Sequence, residues 1–299
     1  MAFSRRSLLA SIIAGVGSSA LSRYSFAAQP RKLRVALMTD AHVTGPERAN
    51  QMERAFAAAL KERPDLYIYG GDNVMNVDAN HTWESATKQF GAWKQVVEAY
   101  SKRPGHHVIG NHDIWWFKDE APDNSLRDKG YALKTFGMSN RYEAIEAGGW
   151  RFLMLDVFHA DGCHVDPEQM EWLLREVKGT SKPVCLVSHA PIFSVSHFEE
   201  LGPPKNGSWA VPTSWQVGNA VELTRALRDA SNVKLALSGH MHHIDRCDYH
   251  GITYVCGGAV SGAWWGGAYH GFPPAVVMLE LGPDGMERTW PVFWERDSK

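Results

Sequence analysis

The sequence predicts an α/β protein, a pair of mixed sheets with helices on the outside. Short apolar strands alternate with stretches of helical patterning in both halves of the chain. The last quarter reads as hairpins, which would add antiparallel strands to parallel ones. No linker-like stretch interrupts residues 28–299, so a single domain is expected there. An apolar fraction of 44% and a charged fraction of 21% over 299 residues exclude disorder, collagen-like repeats and coiled coil.

Residues 33–38 form an apolar strand ending at Thr39-Asp40. Over residues 47–60 the apolar positions Ala49, Met52, Phe56, Ala59 and Leu60 follow a helical spacing. A second strand, 66–69, ends at Gly70-Gly71-Asp72, and a helix over 82–100 leads to a strand at 107–109 that ends at Gly110-Asn111-His112-Asp113. The same grammar returns with a strand at 150–156 and a helix opened by Asp166-Pro167-Glu168-Gln169. There Asp can cap, Pro suits the first turn and Gln stands at the capping-box position. A strand at 184–187 ends at Ser188-His189, a helix covers 217–229, and a strand at 233–237 ends at Gly239-His240. Antiparallel strands near 244–249, 252–256 and 275–293 complete the chain, and a two-residue turn at His250-Gly251 pairs residue 247 with 254. Cys163, Cys185, Cys247 and Cys256 could form up to two disulfides, but packing is the default expectation; without a Cys-x-x-Cys a structural zinc site is not expected.

The first 27 residues read as an address. Ser4-Arg5-Arg6-Ser7-Leu8-Leu9 precedes a weakly apolar stretch, and Ser25-Phe26-Ala27 supplies small residues where a signal peptidase cuts. The segment resembles a bacterial twin-arginine export signal. That resemblance implies a mature protein in the periplasm or outside the cell, carried across already folded by the twin-arginine translocase. The stretch is too short and too rich in Gly and Ser to span a bilayer, so no stable membrane anchor is expected. Removing its three Arg leaves 28 Lys and Arg against 33 Asp and Glu, a net −5. Such a body lacks the positive field that draws proteins to nucleic acid, and no nucleic-acid partner is expected.

Polar residues collect where strands end. Asp40 and His42, Asp72, Asn111 and His112, His189, and His240 and His242 all stand at or just past a predicted strand's carboxyl end. Ligands of open α/β sheets gather in that crevice. Any one of these residues alone would be weak; five segments in order aim carboxylate, amide and imidazole at one region.

Asp40-Ala41-His42, Gly71-Asp72, Gly110-Asn111-His112-Asp113, His189 and Gly239-His240-Met241-His242 together resemble the five blocks of the calcineurin-like metallophosphoesterases. The resemblance spans residues 40–242 and implies a four-layer α/β/β/α sandwich of two mixed sheets. It further implies that Asp40, His42 and His242 hold one metal ion, that Asn111, His189 and His240 hold a second, and that Asp72 bridges them. A hydroxide shared by the ions would attack a phosphate ester, and His112 would protonate the leaving alkoxide. The ions could be Mn, Fe or Zn, divalent or trivalent, because this donor set does not choose among them. Purple acid phosphatases carry a Tyr where Met75 stands, which argues against a purple iron site. Many other relatives carry an Asp there to steady the catalytic His; Asp113 or Asp78 could substitute.

Three segments look like walls for a small phosphate-ester substrate: Ile114-Trp115-Trp116-Phe117, the long loop 191–215 with Trp209, and 257–271 with Trp264-Trp265. Trp172 and Trp290 read as core. The function expected is an exported two-metal phosphodiesterase. A phosphomonoesterase shares every ligand, and a metal-binding protein without catalysis is the alternative outside enzymes.

Overall fold

The structure, a computed structural model, describes residues 32–77, 82–115 and 123–295. The signal-like residues 1–27, together with Asp78, Trp116 and Phe117, lie outside the described residues. The chain begins with β1 (Leu33–Met38), α1 (Pro46–Lys61), β2 (Leu66–Tyr69), α2 (Trp83–Tyr100) and β3 (Gly105–His107). Next come α3 (Gly130–Phe136), β4 (Glu143–Ala147), β5 (Trp150–Met154), the short ribbon β6 (Phe158–His159) and β7 (Gly162–Cys163), α4 (Pro167–Lys178) and β8 (Val184–Val187). The remainder is α5 (His197–Leu201), α6 (Ala220–Ala226), β9 (Val233–Ser238), β10 (Ile244–Tyr249), β11 (Ile252–Gly257), β12 (Ala275–Leu281) and β13 (Met286–Phe293).

Two mixed sheets result, ordered β13-β12-β1-β2-β3 and β10-β11-β9-β8-β5-β4. Strands β1, β2 and β3 run parallel, as do β5, β8, β9 and β11, while β12, β13, β10 and β4 add antiparallel edges. Alternation along the strands explains the stacking. Leu33, Val35 and Leu37 of β1 meet Phe152, Val187, Leu235 and Leu237 of the other sheet in a buried layer. Ala36 and Met38 point the other way, into the cluster that holds Met52, Phe56 and Ala59 of α1. A one-residue slip would exchange these faces, so register is strongly specified. Each fully buried branched side chain contributes about 1.5–3 kcal/mol.

Local expectations mostly hold, with instructive exceptions. Cys247 pairs with Tyr254 across the β10–β11 turn, and all four cysteines are free thiols. Asp166 caps α4 by accepting from the Gln169 amide N at 3.0 Å. Gln169 does not complete a capping box: its buried side chain instead brackets Asp156, accepting from Asp156 N and donating to Asp156 O. Strand β3 starts two residues before the expected 107–109, because Gly105–His107 is the stretch in register with Tyr67–Tyr69. The helix expected over 217–229 is confined to Ala220–Ala226. Val217 N and Gly218 N are bonded to Pro191 O and Cys163 O, and the Asn219 side chain ties both backbone groups of Val165. Trp172 and Trp290 are partly buried against the core. No helix among the described residues is long and apolar enough to cross a membrane.

Candidate metal centre

The ends of β1, β2, β3, β8 and β9 converge at the same rim of the sandwich. Pairing between β1 and β2 continues past the strands: Asp40 N donates to Gly71 O and His42 N to Asp72 O, both at 3.0 Å. The path is tortuous. Asp40 (φ 55°), His42 (46°), Asp72 (50°), His240 (70°) and His242 (57°) all occupy the left-handed region that side chains rarely adopt. Each such residue costs of order 1–3 kcal/mol and persists where surrounding bonds over-determine it, a pattern typical of functional sites. Two glycines permit the close approach. A Cβ on Gly110 would lie 2.1 Å from Asp72 Oδ1, and one on Gly239 would lie 1.9 Å from Thr39 Oγ1.

Seven expected ligands and His112 meet here. Asp40, His42 and His242 form one group of converging donor atoms; Asp72, His189 and His240 form another; and Asp72 also joins His42 and His112. Asp72 therefore belongs to both sides. Its Oδ2 lies 3.1 Å from His189 Nε2, 3.8 Å from His42 Nε2 and 3.9 Å from His112 Nε2. His242 Nε2 is 3.3 Å from Asp40 Oδ1 and 3.1 Å from His42 Nε2. Asn111 joins from the wall of the adjoining cavity, with a buried Oδ1 that has no hydrogen-bond partner.

The donor chemistry fits cations. His189 Nδ1 and His242 Nδ1 donate to Gly70 O and Gly262 O, each at 2.7 Å, while His240 Nε2 donates to Ser214 O at 2.9 Å. A carbonyl can only accept, so the other ring nitrogen of each neutral imidazole keeps its lone pair for the cluster. Burial pushes His42 down to about 3 and His240 to about 4, which keeps them neutral, as ligands must be. Burial alone would raise Asp40, but His189 and His242 hold it at about 2. Asp72 likewise lies well below the usual carboxylate range, burial being outweighed by His189 and His112. Burial would lower His189, yet Asp72 and Asp40 raise it to about 9, so without a cation its Nε2 carries a proton toward Asp72 that a bound cation would displace. Two buried, ionised carboxylates thus draw positive charge into the cluster. Asp40 is held further by Thr39 Oγ1, which donates to Oδ2 at 2.6 Å, and by His240 N at 2.9 Å.

His112 differs from the rest. It is partly exposed, and its Nδ1 donates to the backbone carbonyl of Met75. That carbonyl steadies the ring where a carboxylate was expected. Asp113 does not serve that purpose. Its carboxylate accepts from Asn73 N, Asn73 Nδ2, Val74 N and Gly110 N, locking the β2 and β3 ends together. Burial, reinforced by Asp72, raises Asp113 to about 7. His243 is buried and donates from Nδ1 to Met241 O.

A cavity of about 530 Å³ opens beside the cluster, lined at the cluster's end by Asn111, His240 and His242. Of the expected walls, Ile114 of the first, Glu200, Ser214 and Trp215 of the second, and Trp264 and Tyr269 of the third reach it. Trp115 is buried, Trp265 donates from Nε1 to His42 O, and Trp209 is exposed and donates to Gly202 O. Sequence reasoning missed the β6–β7 ribbon, which contributes Phe158, His159 and Cys163, and within the expected 191–215 wall it did not single out Glu200 of α5. A two-residue strand has no periodicity to find.

Comparison with known proteins identifies the family. The chain is 22% identical over 236 residues to a 3',5'-cyclic-nucleotide phosphodiesterase of Nostoc sp., covering 75% of this chain and 76% of the relative. Its fold resembles a dimetal phosphatase from Danio rerio (TM-score 0.60, 15% identity, 88% of this chain and 99% of that one). It also resembles GAP50, the anchor in the inner membrane complex of Plasmodium (TM-score 0.56, 15% identity, 90% of each chain). Residues 33–243 match the calcineurin-like phosphoesterase family. The chain belongs to that family and is a metal-dependent hydrolase of phosphate esters.

Proposed function

We propose that this protein is an exported phosphodiesterase. The observation that carries the diester reading is the cavity: it leaves room beyond the ligand cluster for a second ester substituent, and none of its described lining residues is Lys or Arg. A monoester dianion would draw on extra cationic side chains; a diester carries one charge less. The relative named as a cyclic-nucleotide phosphodiesterase supports the same direction.

In this reading Asp40, His42 and His242 would hold one cation and Asn111, His189 and His240 the other, with Asp72 shared between the two groups. When bound, the pair supplies Lewis acidity, activating water and neutralising phosphate oxygens. The protein's own residues do the rest. The carbonyls of Gly70, Gly262 and Ser214 fix the ligand rings, while the Met75 carbonyl fixes His112 Nδ1–H. With Nδ1–H so held, Nε2 is the ring atom left to act, and as an imidazolium His112 would give the Nε2 proton to the departing alkoxide and return to the neutral Nδ1–H form. The aromatic walls exclude water from the substituents. Export of the mature chain from about residue 28 through the twin-arginine translocase would place this chemistry in the periplasm or outside the cell.

The test uses the mature protein stripped of metal and refilled with Mn, Zn or Fe. Faster, chelator-sensitive hydrolysis of a bis-aryl phosphate than of the aryl monoester is expected. A monoester preference would replace the diester assignment with a phosphatase. Two tightly bound ions with no turnover would leave a binding protein.

A further inference from the structure

The cavity is furnished for an organic group that neither the cluster nor His112 explains. Trp264 stands in the left-handed region (φ 49°), 44% exposed, with its ring 4.4 Å from that of His242. Tyr269 meets Trp264 edge-on at 5.4 Å and donates from its hydroxyl to Glu200 Oε1 at 2.6 Å. Trp215 adds a further ring to the lining, while Phe158 lies at the cluster's end, 5.3 Å from the His240 ring. Glu200 is the only carboxylate among the described lining residues, its side chain is 15% exposed, and no Lys or Arg lines the cavity to oppose it. Its nearest basic atoms are His243 Nδ1 at 3.8 Å and His270 Nε2 at 3.9 Å, and the former donates to Met241 O instead.

From this juxtaposition of Trp264, Tyr269 and Glu200 we propose that the cavity selects phosphodiesters whose substituent carries a quaternary ammonium group. This rests on the phosphodiesterase reading and specifies its substrate class. Aromatic faces attract a desolvated cation through their quadrupoles, and a nearby carboxylate adds direct attraction. A nucleobase would stack on the same rings yet neutralise nothing at Glu200. The substrate is thus polarised like the cavity: its phosphate anion lies at the Asn111–His240 end and its cation at the Glu200–Tyr269 end. Glu200 is a specificity-determining residue and takes no part in bond cleavage.

Two 4-nitrophenyl diesters with the same leaving group test this, one bearing choline and the other its neutral isostere 3,3-dimethylbutanol. The metal-loaded protein is expected to favour the choline ester by about tenfold in kcat/KM, and Glu200→Gln to erase most of that ratio. Titration with free choline, read by tryptophan emission, gives a result independent of turnover. Choline should bind more tightly than 3,3-dimethylbutanol or adenosine, and more weakly to Glu200→Gln than to the native protein. Equal kcat/KM for the two esters, or adenosine binding more tightly than choline, overturns the proposal. Diester turnover that survives a chelator would instead defeat the metal-dependent reading, leaving the choline titration to stand or fall alone. Hydrolysis of glycerophosphocholine alone would assign a soluble substrate, and hydrolysis of phosphatidylcholine vesicles as well would assign a lipid surface; loss of both with the ester preference intact would point to another ammonium diester.

Discussion

The two flanks of Asp72 are made from the same kinds of residue but covered differently. On one flank Asp40, His42 and His242 are buried, only His242 reaching the cavity wall, with Trp264 and Tyr269 against His242 and Trp265 bonded to the His42 backbone. On the other flank Asn111 and His240 are partly exposed along the cavity, with only His189 fully buried behind them. Left-handed backbone is correspondingly denser on the sealed flank, where all three residues adopt it, than on the open one, where His240 alone does. The sealed flank is therefore suited to keeping a cation, and the open flank to exchanging water, substrate and product. His112, partly exposed and held by Met75 O, stands beside the sealed flank, its ring 4.8 Å from that of His42.

The largest effect should come from removing what the flanks share. Asp72→Ala is expected to drop metal content from two equivalents to near zero and to abolish turnover; one ion retained in full, by elemental analysis, would show that the flanks are independent. His112→Ala separates chemistry from binding. It should keep both ions while losing roughly 10²–10⁴ of the rate, and a metal-depleted variant would contradict that separation. Asn111→Ala acts on the open flank alone, so native mass spectrometry should find one ion bound and one lost. Thr39→Val removes the hydroxyl that donates to Asp40 and keeps the shape. A roughly tenfold weaker affinity at the sealed position is expected, since such supporting bonds typically matter by 10–100-fold; equal weakening at both positions would count against the distinction.

The five blocks that converge at the rim could be read from sequence because their constraint is local. A residue that must leave a strand and turn at once into a crevice brings its neighbours with it: Gly110 where Asp72 leaves no room for a Cβ, and Gly239 where Thr39 leaves none. The strands were readable for a similar reason, since near-continuous burial on β1 and continuous burial on β8 both leave apolar runs. What escaped depends on long-range or backbone chemistry. Met75 acts on His112 through a carbonyl, which every residue possesses, so position 75 looked like a lost function. Gln169 occupied a capping-box position but is drawn to Asp156, a partner 13 residues away. Glu200 and Tyr269 meet across 69 residues, from a five-residue helix and a glycine-rich loop, neither with a period to follow. The aromatic segments were recognisable as wall material, but which rings face the cavity depended on folds of the 191–215 and 257–271 loops that no pattern encodes.

Stepwise chelation would put the asymmetry to a single test. Native mass spectrometry would count bound ions while turnover of a bis-aryl phosphate is followed on the same samples. The structure predicts two phases, with one ion leaving early from the Asn111–His240 side and activity disappearing in that first phase while the second ion remains. Loss of both ions in one phase, or activity that outlasts the first departure, would contradict it.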